Sequence, residues 1–274
     1  MRARALILIA VLSSPLFAQA PSSFERVLVP VLNPSQVVHG ANGSQFRTGV
    51  ALYLREGTID YYPAAGERPA VGSSLPRSPY LPIWEAEDVV AKGRFLFFSN
   101  DGARPAIFAS LSVQAEPGGP VASTPLPVVH ERNALASPVT IGSLSFHSTF
   151  DSSTYPPTFI GFRQRHTLRI YDFGSTGAAA VRVRFQRWGP VPGVPIERTI
   201  YLSSRDADDA SYPFYFEANV EQLFGSQCGP HPRALCGSFI AVIEVEPLAT
   251  DTRYFAFVST TQNDTNHVQI HLPQ

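Results

Sequence analysis

The sequence predicts an all-β protein: two tandem antiparallel β-sandwich domains behind a signal peptide. Three observations predict it. Phe46–Glu56 (FRTGVALYLRE) and Phe162–Gly174 (FRQRHTLRIYDFG) share Phe-Arg, four residues, Leu, any residue, then Leu or Ile. Further matches follow in the same order: Tyr80–Ala86 beside Tyr212–Ala218, and Phe108-Ala-Ser110 beside Phe257-Val-Ser259. Three matches in register point to a duplicated unit. Aromatic and β-branched runs are also short and separated by turn residues, with 25 Pro and 19 Gly in 274 residues, which is how sandwiches read.

Met1–Ala20 reads as the signal peptide. Arg2 and Arg4 form its positive start, Ala5–Leu12 its apolar stretch, and Ala18-Gln-Ala20 a small-residue cleavage site, used after Ala18 or after Ala20. The apolar run is far shorter than the roughly 20 residues that span a bilayer, and no later segment could span one. The chain is therefore expected to be exported, to the periplasm or the exterior.

The first domain is expected over residues 21–118. Arg26–Leu32 opens it, with Pro30 favouring an edge position. In the Phe46 strand, Phe46, Thr48, Val50, Leu52 and Leu54 alternate toward a core, leaving Arg47 and Arg55 outside. Residues 63–82 read as a surface loop and Glu85–Ala91 as a helical turn. Arg94–Ser99 and Ala106–Gln114 are strands joined through Asn100-Asp101-Gly102, a turn signal.

Residues 119–135, rich in Pro and Gly, are expected as the linker; Val128–Glu131 could still pair with one domain. The second domain then fills 136–274. Val139–Phe146 opens it and His147–Thr158 is a polar loop. In the Phe162 strand, Phe162, Gln164, His166, Leu168 and Ile170 share a packed face, and Arg163, Arg165, Thr167, Arg169 and Tyr171 a wet one. Gly174–Gly177 reads as a hairpin turn to Ala180–Trp188, whose Val181, Val183 and Phe185 point inward. Glu197–Ser203 is a strand and Asn219–Phe224 a short helix. Ser238–Glu246, Arg253–Thr261 and His267–Leu272 close the chain as a meander. Seven or so strands per copy fit an immunoglobulin-like sandwich.

Three stretches carry a resemblance: Phe162–Asp172, Tyr254–Val268 (YFAFVSTTQNDTNHV) and Gly40–Arg47 (GANGSQFR). They are similar to a loose group of exported bacterial proteins with tandem β-sandwich domains and no assigned activity. The resemblance covers most of the mature chain and implies the architecture alone.

The formal net charge is −1, and Lys92 is the only lysine. A near-neutral chain argues against nucleic acid as a partner. Cys228 and Cys236, the only cysteines, are expected to form a disulfide in an exported chain. It would close the nine-residue loop CGPHPRALC and contribute roughly 2–3 kcal/mol on the chain-entropy argument. His267 and His271 fall on a strand, where four residues span about 13 Å, too far for one ion. Asp206, Asp208 and Asp209 lack the glycine and distal glutamate of a calcium loop and read as a solvated turn. No metal or cofactor is expected. There is no Gly-x-Ser-x-Gly, Ser-x-x-Lys or phosphate-binding glycine loop. Glu85 and Glu217, in matching places of the two copies, read as structural.

The candidate ligand or partner face is Arg163, Arg165, Arg169, Arg182 and Arg184, with Glu244 and Glu246 alternating outward on a later strand. If the glutamates reach the arginines, the face is an ion-pair ladder. If they do not, it can receive carboxylates through the guanidinium fork. Trp84, Trp188, Tyr61 and Tyr62 are candidates for stacking on sugars. The expected function is a non-catalytic exported module for envelope structure, adhesion or protein contacts. The alternative is a carbohydrate-binding protein, and after it a hydrolase without a local motif. Partners would be a cell-envelope protein or a polysaccharide.

Overall fold

The computed structural model describes residues 24–30, 38–39, 44–53, 61–62, 81–82, 91–99, 106–114, 116, 118–155, 158–174, 176–188, 194–208, 210–224 and 238–274. The expected signal peptide, both cysteines, Trp84, Glu85, Asp209 and the side chains of Tyr61 and Tyr62 lie outside them. Among the described residues no helix is long and apolar enough to cross a membrane.

The chain is all-β. Its strands are β1 (Phe24–Val29), β2 (Val38–His39), β3 (Gln45–Tyr53), β4 (Tyr61–Tyr62), β5 (Leu81–Pro82), β6 (Arg94–Ser99), β7 (Ala106–Gln114), β8 (Val121–Leu126) and β9 (Val129–His130). They continue as β10 (Val139–Phe146), β11 (Ser148–Asp151), β12 (Thr158–Phe162), β13 (Gln164–Asp172), β14 (Ala180–Trp188), β15 (Ile196–Tyr201), β16 (Phe214–Asn219), β17 (Phe239–Pro247), β18 (Tyr254–Gln262) and β19 (Val268–His271); among the described residues there are also a 3-10 turn at Glu131–Asn133 and one α-helix, α1 (Val220–Phe224).

Among the described residues these strands form four larger antiparallel sheets and a separate two-stranded sheet, β11-β12. Sheet A runs β4-β6-β1-β9. Sheet B runs β2-β3-β7-β8, with β5 also on β3. Sheet C runs β16-β13-β18-β19 and sheet D runs β10-β17-β14-β15. Sheets A and B close over Val27, Val29, Val50, Leu52, Leu96, Phe98, Leu111 and Val113. Sheets C and D close over a larger core that includes Ile141, Leu144, Phe146, Leu168, Ile170, Val183, Ile243, Ala256 and Val258.

Alternation works as expected on the strands that read most cleanly. Thr48, Val50 and Leu52 are buried while Arg47 is exposed, and Val181, Val183 and Phe185 point into the core. In β10 a bulge between Ile141 and Leu144 resets the period, so that Ile141, Leu144 and Phe146 all face inward.

Sheets A and C are covered on both faces. Leu28, Phe95 and Phe97 of sheet A meet Tyr171, Phe255 and Phe257 of sheet C in a third cluster. This is why β18 is buried from Tyr254 to Thr261; a strand covered twice has no wet face to alternate with. The face of β13 expected to be wet is therefore buried at Arg169 and Tyr171.

The two halves are also joined by polar contacts. Phe95 N–H donates to Ser211 O (2.7 Å), Tyr171 Oη to Lys92 O (2.6 Å), and Thr124 Oγ1 to Val268 O (2.8 Å). Leu135 and Tyr254 exchange both backbone hydrogen bonds. Arg26 reaches Glu131 and donates to Phe173 O at 2.6 Å.

Several connections differ from expectation. The stretch expected as a linker is largely strand: β8 pairs β7 along six residues and β9 pairs β1. Pro125 lies in β8 at register with Ser110, where the missing donor is tolerated beside the sheet edge. β1 is not an edge but lies between β6 and β9, and Pro30 follows it. The expected polar loop 147–158 contains β11, which pairs with β12 just beyond it. Gly174–Gly177 is no hairpin turn, because β13 and β14 belong to different sheets. The closing strands are no meander, since β17 lies in sheet D and only β18 and β19 pair. In each case local turn chemistry marks a reversal but not the sheet that the chain reverses into.

Candidate functional site

The five candidate arginines do not form one face. β13 belongs to sheet C and β14 to sheet D, so Arg163, Arg165 and Arg169 never stand beside Arg182 and Arg184. Arg163 and Arg165 are exposed. Arg169 is buried between the sheets. Its Nε donates to Glu217 Oε2 at 2.7 Å and its Nη1 to Ser259 Oγ at 2.6 Å, and its guanidinium lies 5.7 Å from the Phe257 ring centre. The direct partners across the strands, Glu217 and Phe257, set this environment. Glu217 also meets Lys92 Nζ at 3.0 Å, so it holds two cations at the junction of the sheets.

Arg182 and Arg184 form a ladder on the outward face of sheet D. Arg182 Nη1 lies 3.0 Å from Glu246 Oε2. Arg184 reaches Glu244 at 3.4 Å through Nη1 and Glu197 at 3.1 Å through Nε. The register produces it, because Arg182 stands opposite Glu246, and Arg184 between Glu244 and Glu197. All five side chains are about half exposed, so each pair contributes about 0–1 kcal/mol. These charges, with Pro138, Val139 and Thr140, line a groove of about 360 Å³.

Large apolar side chains flank the ladder on the same face. Trp188 is 59% exposed and its cross-strand partner Ile240 is 50% exposed. At the other end Tyr201, opposite Ala180, is 69% exposed. Outward positions along β14 thus read Trp188, Gln186, Arg184, Arg182, Ala180. Glu197, Tyr201 and Ile240 were not singled out from sequence. Glu197, Thr199 and Tyr201 do alternate against Ile196 and Ile200, but only the pairing of β15 with β14 brings them to the ladder.

The remaining candidates lie apart. Asp206 accepts from Lys92 N–H (2.6 Å) and from Tyr215 Oη (3.0 Å), and burial followed by the Asp206 charge pushes the Tyr215 phenol up to about 12. Asp208 stands 3.8 Å from Arg205. His271 Nε2 pairs with Thr260 Oγ1 at 2.9 Å, and its partner in sequence, His267, is exposed. His166, fully buried, stacks on Phe146 with ring centres 4.0 Å apart and reaches Glu221 at 3.2 Å through Nδ1. Among the described residues no three His, Cys, Asp or Glu side chains gather as metal ligands.

The outward face of sheet D is a β-surface with paired charges and exposed aromatic ends. No family model, curated protein or solved structure matches the chain.

Proposed function

We propose that the protein is an exported, non-catalytic contact module of two tandem sandwiches, with the outward face of sheet D as its contact surface. The observation that carries this reading is the pairing of exposed Trp188 and Ile240 at one end with exposed Tyr201 at the other, on one sheet face. A rigid sheet holds such side chains at low entropic cost for a partner.

The strand order supports the duplication. β4-β6-β1 repeats as β14-β17-β10, and β5-β3-β7-β8 repeats as β16-β13-β18-β19. The three sequence matches fall on corresponding strands: β3 with β13, β5 with β16, and β7 with β18. The copies are immunoglobulin-like in size and in their two-layer build. Their order differs, since the opening strand of each copy shares a sheet with the strand two sheet positions away, β4 or β14, where immunoglobulin domains divide the A and C strands between sheets.

Export is the location that fits the Met1–Ala20 sequence and the two cysteines. N-terminal sequencing of protein recovered outside the cytoplasm is expected to start at Gln19 or Pro21, and a non-reducing peptide map to link Cys228 to Cys236. The contact reading is tested by co-sedimentation of the purified protein with cell-envelope fractions. Binding is expected to fall at least about tenfold in the Trp188→Ala/Tyr201→Ala variant, as for aromatic anchors at interfaces. Equal binding by this variant and the wild type would overturn the reading.

A further inference from the structure

The arrangement on sheet D selects among occupants. A protein partner meets an apolar centre ringed by polar residues. This face is the reverse: its centre is the Arg–Glu ladder and its ends are Trp188 with Ile240, and Tyr201. A polyanion needs guanidinium groups that are free to fork onto its carboxylates. Here each arginine already faces a carboxylate, and two arginines against three glutamates leave one negative charge in excess in the groove, which repels a polyanion. An anionic lipid surface is disfavoured for the same reason.

A neutral polyol fits. Its hydroxyl groups donate to the glutamate oxygens and accept from the arginine N–H groups, without breaking an ion pair or bringing in an unmatched charge. Its ring faces, rich in C–H, suit amphipathic aromatic side chains, which pair an apolar body with a polar tip. The length suits a polymer rather than a single sugar. From Ala180, the partner of Tyr201, to Trp188 is eight steps along β14, about 26 Å at strand rise.

We infer that the outward face of sheet D binds a neutral polysaccharide laid along β14, stacked at Trp188 and Tyr201 and hydrogen-bonded by the Arg182–Glu246 and Arg184–Glu244–Glu197 pairs. This rests on the contact-face reading and names its ligand class.

The test is affinity electrophoresis of the purified protein in gels holding xylan, mixed-linkage β-glucan, galactomannan or dextran, with alginate as the acidic arm. The expected result is retardation by at least one neutral polymer that is indifferent to added salt. Retardation should weaken at least about tenfold in Trp188→Ala and in Tyr201→Ala, and stay unchanged in Arg163→Ala. Each variant should keep the wild-type melting temperature, because both rings are solvent-exposed. Retardation by alginate alone, abolished by salt, would overturn the inference, as would neutral binding that survives both aromatic substitutions. Absence of retardation in every gel, with envelope co-sedimentation still dependent on Trp188 and Tyr201, would overturn the glycan inference and leave the contact face standing. Co-sedimentation indifferent to both residues would end both readings.

Discussion

Arg169 and Glu217 stand opposite each other on β13 and β16, and Arg169 Nε donates to Glu217 Oε2 across 2.7 Å. Burial pushes the Glu217 carboxyl up, but the Arg169 and Lys92 charges and their hydrogen bonds more than offset it. The group is held below its ordinary value of 4.5.

Replacing this carboxylate is expected to be costly. Glu217→Gln leaves Arg169 buried without its counter-charge, and we expect a loss of about 2–3 kcal/mol in urea unfolding near neutral pH. The sign of the pH effect follows from the lowered value. The contribution of ionised Glu217 is present above pH 4.5 and is lost as pH falls through the folded-state value. The gap in melting temperature between wild type and variant should therefore narrow as pH is taken down from 4.5.

Gly93 is expected to tolerate no side chain. A Cβ there would lie 2.7 Å from Tyr171 Cε1 and 3.1 Å from Pro213 Cγ, so Gly93→Ala must push sheets A and C apart. We expect about 1–3 kcal/mol of destabilisation. Tyr171→Phe, which loses only the hydrogen bond to Lys92 O, should cost about 1 kcal/mol. A Gly93→Ala effect no larger than that of Tyr171→Phe would show that the junction is looser than the geometry requires.

His271 should make the fold sensitive to mild acid. Burial, then the neighbouring His166, lowers its pKa from the ordinary 6.5. Its folded form is held neutral, so its contribution to stability is present above pH 6.5 and is lost as pH falls through the folded value. Melting temperatures taken across this range should fall toward acid, and the slope should flatten in His271→Asn. An imidazole titrating at or above 6.5 by NMR would contradict this.

The ladder on sheet D should matter little to stability. Arg182→Ala is expected to cost about 0–1 kcal/mol, against about 2–5 kcal/mol for Leu144→Ala in the core beneath it. Leu144 is fully buried, whereas Arg182 and Glu246 are each nearly half exposed. Thermal unfolding of the two variants checks the contrast.

Strand positions were largely legible in the sequence because alternation is a local signal. β6, β7, β10 and β14 fall where their patterns put them, and α1 falls within the expected Asn219–Phe224. Sheet membership was not legible. Arg169 and Arg184 both sit among alternating apolar residues, yet one is buried between sheets and the other lines a groove. What separates them is which sheet covers the strand, and that is decided by residues far away in the chain, Phe95 and Phe97 for sheet C. The ladder itself was half legible: Arg182, Arg184, Glu244 and Glu246 carry the right period, while Glu197 joins only through the β14–β15 pairing. Trp188 was marked by type, but its exposure depends on the sheet's outward side.

The aromatic seam between sheets A and C has a consequence for how the chain comes to be folded. During synthesis β6 leaves the ribosome long before β18 has been made. In that interval Phe95 and Phe97 have no Tyr171, Phe255 or Phe257 to meet, and a half-built sheet with an oily flat side invites association with its neighbours. The hazard is symmetrical, since a C-terminal fragment would present the opposite side of the same seam. Cutting the gene between β8 and β10 should therefore yield two sticky pieces, and the intact chain should melt as one cooperative unit.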